Sequence, residues 1–487
     1  MIGLDLEAIG PGTIVRHSRG GEVAVIGLGR SGTAVARLLL RAGNAVYASD
    51  AGSGEGMEVV AEALRGEGAD VDVGGHDLSR IARADALVTS PGVRPDAPPI
   101  RVAAHAAVPV LGEVEIALRS LPSAQVIAVT GTNGKSTTTT LVAQLLRAAG
   151  RQAVEAGNIG TALSMYALEE RPPEWIALEL SSFQLRNVPS LNPRAGVVTN
   201  LASDHLDWYP DVKSYWDDKA LLMLNDSEES CWILNGDDPE ATALHRRLPE
   251  GHPSRKRLRG RVLHFSLHDS SADAFYSSRS GQLILFGEPL ISRNEFPLLG
   301  PHNVANALAA ALAVAGTAGE DGEAAFDLHT RLAGGLRTAA GLPHRMQPAG
   351  EFNGVLWIND SKATNVASTR VALEGMRRPY VLLLGGRHKG EPYTSLLEPM
   401  RGRVRAVIAY GEAAPIIQSD LGGVVPVVLA GDDFREVLGT ARELAEPGDV
   451  ILLSPACSSY DMFRNYDERG VAFMKGARGG LAGGNGP

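Results

Sequence analysis

Short apolar runs recur along this chain, and between them apolar residues return every three or four positions. Val23-Ala24-Val25-Ile26, Ala45-Val46-Tyr47-Ala48-Ser49-Asp50 and Ala86-Leu87-Val88-Thr89 read as buried strands, and Val35, Leu38 and Leu39 mark a helix after the first. The runs 126–129, 175–180 and 195–200 repeat the design in the middle of the chain. A helix follows the first of them, with Leu141, Leu145 and Ala148 on one line and Val142, Leu146 and Ala149 beside it. Gly150 stands where its end wants a left-handed residue. From Leu342 the alternation resumes, with strand-like runs at 355–360, 380–386, 404–410, 424–429 and 449–453. Strands alternating with helices predict parallel sheets. The expected architecture is α/β in three domains: a Rossmann-like domain over 1–117, a central phosphate-loop ATPase fold over 118–341, and a second Rossmann-like domain over 342–487. One stretch breaks the pattern: 274–277 and 282–286, joined through Ser280-Gly281, read as a β-hairpin.

Two of the strands empty into glycine-bearing turns that open a helix. The first is Gly27-Leu28-Gly29-Arg30-Ser31-Gly32, a GxGxxG turn, with Asp50 closing the next strand. That is a dinucleotide-type fingerprint in which the acid bonds a ribose hydroxyl. The same turn suits another diphosphate, or simply close packing of strand on helix. The second is Gly131-Thr132-Asn133-Gly134-Lys135-Ser136-Thr137. Its backbone N–H groups and the helix N-terminus form an anion cradle, Lys135 supplies a point charge, and the Ser136 hydroxyl can hold Mg²⁺. A strict GxxxxGK[ST] motif would have glycine where this chain has Val129.

Composition narrows the class. At 487 residues the chain exceeds one core, and 46 basic against 56 acidic side chains leave a formal charge of −10. That balance gives no electrostatic footprint for nucleic acid. Two cysteines, Cys231 and Cys457, suggest neither a disulfide framework nor a cysteine zinc site. No signal-peptide pattern opens the sequence, and the apolar stretch 307–315 is too short to span a bilayer. A cytoplasmic, monomeric protein without membrane insertion is expected.

Polar residues gather at the strand ends. Glu179 lies inside an apolar strand, where an unpaired carboxylate is costly to bury, and Ser181-Ser182-Phe183-Gln184 follows. A salt-bridged core acid is one reading; at the carboxyl edge of a sheet, followed by polar loop residues, a magnesium-linked role is the favoured one. Asp204-His205-Leu206-Asp207 makes His205 a candidate metal ligand. Lys219 has no role that the residues around it reveal. Arg246, Arg247, Arg255, Lys256, Arg257, Arg259 and Arg261 mark a basic insertion, read as solvated because no aromatic residue interleaves it.

Taken together, Gly131–Thr137, Gly157-Asn158-Ile159-Gly160, the Asp204-His205 pair, Lys219 and Gly300-Pro301-His302-Asn303 resemble the Mur ligases. These are ATP-dependent amide-forming enzymes of peptidoglycan precursor assembly. Their phosphate loop has the form GTxGK[ST], which accounts for Val129. Asp360-Ser361-Lys362-Ala363-Thr364-Asn365, Gly341-Leu342-Pro343-His344-Arg345 and the segment from Leu453 to Phe463 resemble the branch that adds D-glutamate to UDP-N-acetylmuramoyl-L-alanine. The segment at Asp360 argues against the related folate polyglutamylation. A nicotinamide-dependent oxidoreductase and a non-catalytic nucleotide switch are the rival classes.

The resemblance implies roles residue by residue. Gly131, Thr132, Asn133, Gly134, Lys135, Ser136, Thr137, Asn306, Arg345 and Asp360 would meet ATP. Ser136 and Glu179 would hold one Mg²⁺; His205 and Lys219, the latter carbamylated by CO₂, would hold a second. Asn158 and His344 would line the reacting centre, with Lys135 and Lys219 acting in catalysis. Lys362, Thr364, Lys389, Ser459 and Tyr466 would hold D-glutamate. Gly27, Leu28, Gly29, Ser31, Gly32, Asp50, Ser90, Pro91 and Gly92 would bind the UDP moiety rather than NAD. Two features depart from the family pattern: Gly386-Arg387-His388-Lys389 replaces a more acidic loop, and the basic insertion over 245–261 has no counterpart role.

Overall fold

The computed structural model describes residues 21–204, 208–318 and 322–479. Three sheets carry it. The first is wholly parallel, with β1 (Glu22–Ile26), β2 (Ala45–Asp50), β3 (Asp70–Val73), β4 (Ala86–Thr89) and β5 (Val110–Gly112) in the order β3-β2-β1-β4-β5. The winding reverses between β1 and β4, so the turn after β1 and the loop after β4 flank one crevice at the carboxyl ends of the strands.

The second sheet has nine strands. They are β6 (Gln125–Thr130), β7 (Ala153–Gly157), β8 (Trp175–Glu179), β9 (Ala195–Val198), β10 (Cys231–Asn235), β11 (Arg261–Ser266), β12 (Ala274–Ser277), β13 (Gln282–Leu285) and β14 (Glu288–Ser292). Their order is β14-β13-β12-β11-β10-β9-β6-β8-β7, parallel except for β12-β13-β14. The expected hairpin is therefore β12–β13, with Gly281 left-handed at φ +68°. Here β6 lies between β8 and β9, and the phosphate loop leaves the sheet between those two neighbours.

In the third sheet β15 (Gln347–Phe352), β16 (Val355–Asn359), β17 (Tyr380–Gly385), β18 (Val404–Tyr410), β19 (Val427–Leu429) and β20 (Val450–Leu453) follow the order β15-β16-β20-β17-β18-β19. All pairs are parallel except β15–β16. The loops after β16, β20 and β17 thus leave one edge side by side. Tyr380-Val381-Leu382-Leu383-Leu384 of β17 is fully buried because helices cover both faces, which is why the run reads as continuously apolar.

The chain divides into two compact units. One holds the first two sheets, the other the third sheet together with Pro297–Val304. Within the first unit a single hydrophobic cluster runs from Val23 and Val88 through Val114 and Leu163 to Trp232 and Leu258, so the first two sheets share a core.

The basic insertion is ordered by one acid. Asp226 accepts hydrogen bonds from Trp232 Nε1 at 2.6 Å, Ser254 Oγ at 2.7 Å, Arg259 N at 2.7 Å and Gly260 N at 3.1 Å. Those bonds hold the carboxyl below its ordinary range against the opposing effect of burial. The structural reason for this stretch is a buried anchor, with the arginines carried on its outside.

Candidate active site

The phosphate loop is built by close approach. Gly131 has φ +143° and Gly134 φ +81°; a Cβ on the first would lie 2.0 Å from Thr199 Oγ1, on the second 2.5 Å from Asn306 Oδ1. Thr132 N donates to Asn200 O (2.8 Å) and Asn133 N to Asn200 Oδ1 (2.9 Å). The Asn200 amide and Thr199 hydroxyl return bonds to Asn133 O at 2.9 and 2.6 Å. Thr138 Oγ1 donates to Asn306 Oδ1 at 3.2 Å, which ties the alanine-rich helix Pro301–Gly316 to the helix Lys135–Ala148. Lys135 Nζ folds back over the loop to Gly131 O (3.0 Å) and Thr132 O (2.7 Å), while Ser136 and Thr137 are buried at the start of the helix. That helix starts at Gly134 with no side-chain cap. Asn200 and Thr199 carry no role in the sequence reading; an asparagine closing the predicted run 195–200 is the only signal.

Glu179 ends β8 in register with Val129 of β6. It is 1% exposed; Oε1 accepts from Asn158 Nδ2 at 2.9 Å, and Oε2 is buried with no hydrogen-bond partner. A Cβ on Gly157 (φ +94°) would lie 2.1 Å from Glu179 O, and Asn158 N donates to that carbonyl at 2.9 Å. The Gly157-Asn158 pair is thereby locked on the acid. An orphaned carboxylate oxygen costs a few kcal/mol, by the order of magnitude for buried polar groups, unless a cation meets it. Glu179 and the Ser136 hydroxyl are oxygen donors that would suit a hard divalent cation such as Mg²⁺.

Lys219 lies on the helix Val212–Ala220, 1% exposed. Its Nζ donates to Gly131 O at 2.7 Å and sits 4.5 Å from the Tyr215 ring centroid. The fold thus brings to the phosphate loop a residue that had no role by itself. His205 lies outside the described residues.

In the first sheet Asp50 serves its own turn. Oδ2 accepts from Leu28 N at 2.6 Å and Oδ1 from Gly52 N at 2.7 Å. Gly32 packs so closely on Gly27 O that a Cβ would overlap it, and Ser90 Oγ donates to that same carbonyl at 2.6 Å. The helix Arg30–Arg41 begins at Gly29, again without a side-chain cap. Thr89, Ser90 and Pro91 line a cavity of about 180 Å³ with Phe183, Gln184 and Arg186, three residues to which the sequence had given no substrate role.

The second unit gathers the other candidates on loops at one sheet edge. His344 (φ +62°) and Met346 (φ +43°) are left-handed, a strained stretch before β15. His344 Nδ1 faces Asn359 Nδ2 at 2.9 Å, which leaves the ring proton on Nε2, 3.7 Å from Asp467 Oδ1. Burial lowers the imidazole pKa, against the pull of Asp467. Gly470 is required there, since its Cβ would lie 2.1 Å from His344 Nδ1. Asp360 accepts from Ser454 Oγ (2.9 Å) and Met346 N (3.2 Å), and burial pushes it up to about 7. Arg345 Nε is buried without a partner. Asn365 caps the helix Val366–Glu374 and donates to Asp204 Oδ2 at 2.9 Å.

Lys362 Nζ lies 5.3 Å from the Tyr466 ring centroid, and Ser361 Oγ donates to Tyr466 O at 2.8 Å. Arg387 pairs with Glu412 through two bonds of 3.0 Å, and its backbone bridges Ser458 at 2.9 and 3.2 Å. His388 Nδ1 meets Tyr393 Oη at 3.0 Å. The unexpected Arg387-His388 pair is thus an anchor that ties the segment before Lys389 to the loop carrying Ser458 and Ser459.

Among the described residues no group of three or more His, Cys, Asp or Glu could hold a metal, and no helix is long and apolar enough to cross a membrane.

Comparison with known proteins places this geometry. Sequence models of the Mur ligase MurD-like N-terminal domain, the Mur ligase middle domain and the Mur ligase glutamate ligase domain match residues 21–112, 129–314 and 344–457. The UDP-N-acetylmuramoylalanine–D-glutamate ligase of Anaeromyxobacter dehalogenans is 39% identical over 472 residues, covering 94% of this chain and 97% of its own. That of Salinibacter ruber is 37% identical over 471 residues, covering 95% and 98%. In fold the chain is similar to the UDP-N-acetylmuramate–alanine ligase of Thermotoga maritima, with a TM-score of 0.57, 19% identity, and 94% and 99% of the two chains covered. A bifunctional folylpolyglutamate/dihydrofolate synthase of Yersinia pestis shares the fold at a TM-score of 0.52 and 15% identity over 74% of this chain and 92% of its own. The chain belongs to the Mur ligase family, in the group of the UDP-N-acetylmuramoylalanine–D-glutamate ligases.

Proposed function

We propose that the chain joins D-glutamate to the carboxylate of UDP-N-acetylmuramoyl-L-alanine at the expense of ATP, in peptidoglycan precursor synthesis. One observation carries the chemistry: a buried carboxylate oxygen of Glu179, without a partner, on the strand beside a phosphate loop. The acceptor carboxylate attacks the γ-phosphorus, the bond to the β-phosphate oxygen breaks, and an acyl phosphate and ADP result. The D-glutamate amine then attacks the acyl carbon, loses a proton and expels phosphate.

Anionic groups meet in the first step, so the residues that offset repulsion dominate. Loop N–H groups cradle phosphate oxygens, and Lys135 swings its ammonium from the loop carbonyls to the γ-phosphoryl. Ser136 and Glu179 would hold Mg²⁺, which supplies charge neutralisation when bound. Asn158 fixes Glu179. Asn306, Arg345, whose Nε lacks a protein partner, and Asp360 would contact the nucleotide.

Carbamylation of Lys219 joins its amine to CO₂ with release of a proton. Its N–H keeps the bond to Gly131 O and two anionic oxygens become available to a second Mg²⁺, shared with His205. Lys219→Ala should abolish activity and acetate should restore part of it, whereas Lys219→Arg should not rescue. Wild-type turnover in the arginine variant would remove the carbamate.

The UDP moiety would lie on the uncapped helix start at Gly29, along Gly27–Gly32, Asp50 and Ser90–Gly92, with Leu28 and Ser31 in contact. Its acyl arm would lie near Phe183, Gln184 and Arg186. Lys362, Thr364, Lys389, Ser459 and Tyr466 would receive D-glutamate. Three domains, bounded near 117 and 341, divide this work among acceptor, nucleotide and amino acid. The test is phosphate release with each candidate amino acid, with and without the UDP acceptor. Release that ignores D-glutamate would overturn the reading.

A further inference from the structure

Arg469 is fully buried in the second unit. Its Nε donates to Ser361 Oγ at 3.0 Å, and its Nη2 to Ser361 O at 2.9 Å and Cys457 O at 3.1 Å. Nη1 reaches Gly385 O at 3.4 Å. All four acceptors are uncharged. No carboxylate lies within ion-pairing distance of this guanidinium among the described residues; Asp461, which shares the region, accepts instead from Glu412 N. Gly386 makes room for it, since a Cβ there would stand 3.1 Å from Nη1.

A buried cation without a counter-ion is among the costlier arrangements a core can hold, and breaking hydrogen bonds to it costs more again. The three segments it ties together are the loops after β16, β17 and β20. Those loops carry Lys362, Lys389 and Ser459, so one planar fork sets their spacing. It makes no ion pair among the described residues, and Asp461, whose Oδ1 is buried without a partner, is the carboxylate that shares its surroundings.

We propose that Arg469 is a positioning residue for the amino-acid substrate, holding the three ligand-bearing loops in register and biasing the pocket toward a dicarboxylate. The inference rests on the amino-acid site assigned above. A purely structural residue would weaken all amino acids alike; a charge-biased pocket loses its preference for the doubly anionic one.

The experiment compares D-glutamate with D-glutamine, its neutral isostere, in the full-length enzyme. For Arg469→Met the D-glutamate KM should rise about 10- to 100-fold, the span of one or two charge-assisted bonds. The KM for ATP should stay within about threefold, and the D-glutamate over D-glutamine ratio of kcat/KM should fall about tenfold. Arg469→Lys, which keeps the charge and loses the fork, should show a raised KM with the ratio retained. In Arg469→Met, an unchanged D-glutamate KM, or equal losses for both amino acids, overturns the proposal. If Arg469→Met does not fold, Arg469→Gln, which keeps donors and loses the charge, decides: a lowered ratio supports the proposal, and a retained ratio overturns it. A wild-type enzyme indifferent to D-glutamate would instead sink the site assignment itself.

Discussion

Two turns in the first unit are built to one local plan: strand, glycine turn, helix with an uncapped start. Gly27–Gly32 and Gly131–Ser136 differ in what the neighbouring strand gives them. After β1 the neighbour supplies an acid, Asp50, which spends one oxygen on Leu28 N and the other on Gly52 N. After β6 the segment following β9 supplies an amide and a hydroxyl, Asn200 and Thr199, and the acid on the other side keeps one oxygen free. A satisfied carboxylate stiffens a turn; one with a partnerless oxygen is open to a cation. The glycine pattern sets the shape, and the adjoining strand sets the chemistry.

The largest effect should come from the lysine that the first turn lacks. Lys135→Ala should lower turnover about 10²- to 10³-fold, as for loss of one preorganised electrostatic contact, with the thermal midpoint little changed. A well-folded variant with normal phosphate release would erase the contrast.

Glu179→Gln tests the free oxygen. It keeps the shape and the reach to Asn158 but removes the charge, so the Mg²⁺ concentration for half-maximal activity should rise about 10- to 100-fold. An unchanged metal dependence would show that Oε2 faces no cation.

Asp50→Asn should separate the turns. One neutral oxygen replaces two charged acceptors, and the KM for the UDP acceptor should rise about tenfold, within the range for a charged hydrogen bond. The KM for ATP should hold. If it moved equally, the turns would not be independent.

The smallest effect extends the contrast to a third acid. Burial raises Asp360 to about 7, so the native chain keeps a proton that the unfolded chain releases near 4. The stability this group contributes is full below pH 4 and is lost as pH rises through about 7. Asp360→Asn mimics the protonated form, so its thermal midpoint should fall less between pH 5 and 8 than that of the wild type. The difference should be a few degrees, at about 2–4 °C per kcal/mol in domains of this size. Parallel curves would mean that Asp360 is ionised throughout.

Legibility followed burial. β2 and β18 match the predicted runs residue for residue, because their buried stretches, Val46-Tyr47-Ala48 and Ala406 to Tyr410, are continuously apolar. β3 (DVDV) and β15 (QPAGEF) lie at sheet edges, with one side unpaired, and tolerate charge and proline; their pattern announces nothing. The phosphate loop was legible because its residues are contiguous. Asn200 acts on Asn133 from 67 positions away, and Arg469 on Ser361 from 108, and neither spacing leaves a local mark.

What the sequence determined by itself was therefore whatever a short stretch can encode: buried strands, the two glycine turns, the Gly-Lys-Ser cradle, and the motifs by which the family resemblance was drawn. What the tertiary structure alone decided was which groups are left over. That Glu179 keeps a bare oxygen while Asp50 keeps none follows from strand order, because neighbours in a sheet, not neighbours in the chain, supply the donors. Lys219 joins the phosphate loop only once its helix packs there, and Asp226 turns a run of arginines into an ordered insertion only when four donors converge on it. Hydrogen bonds and desolvation act over a few ångströms of space, and only the folded chain fixes who stands within that distance.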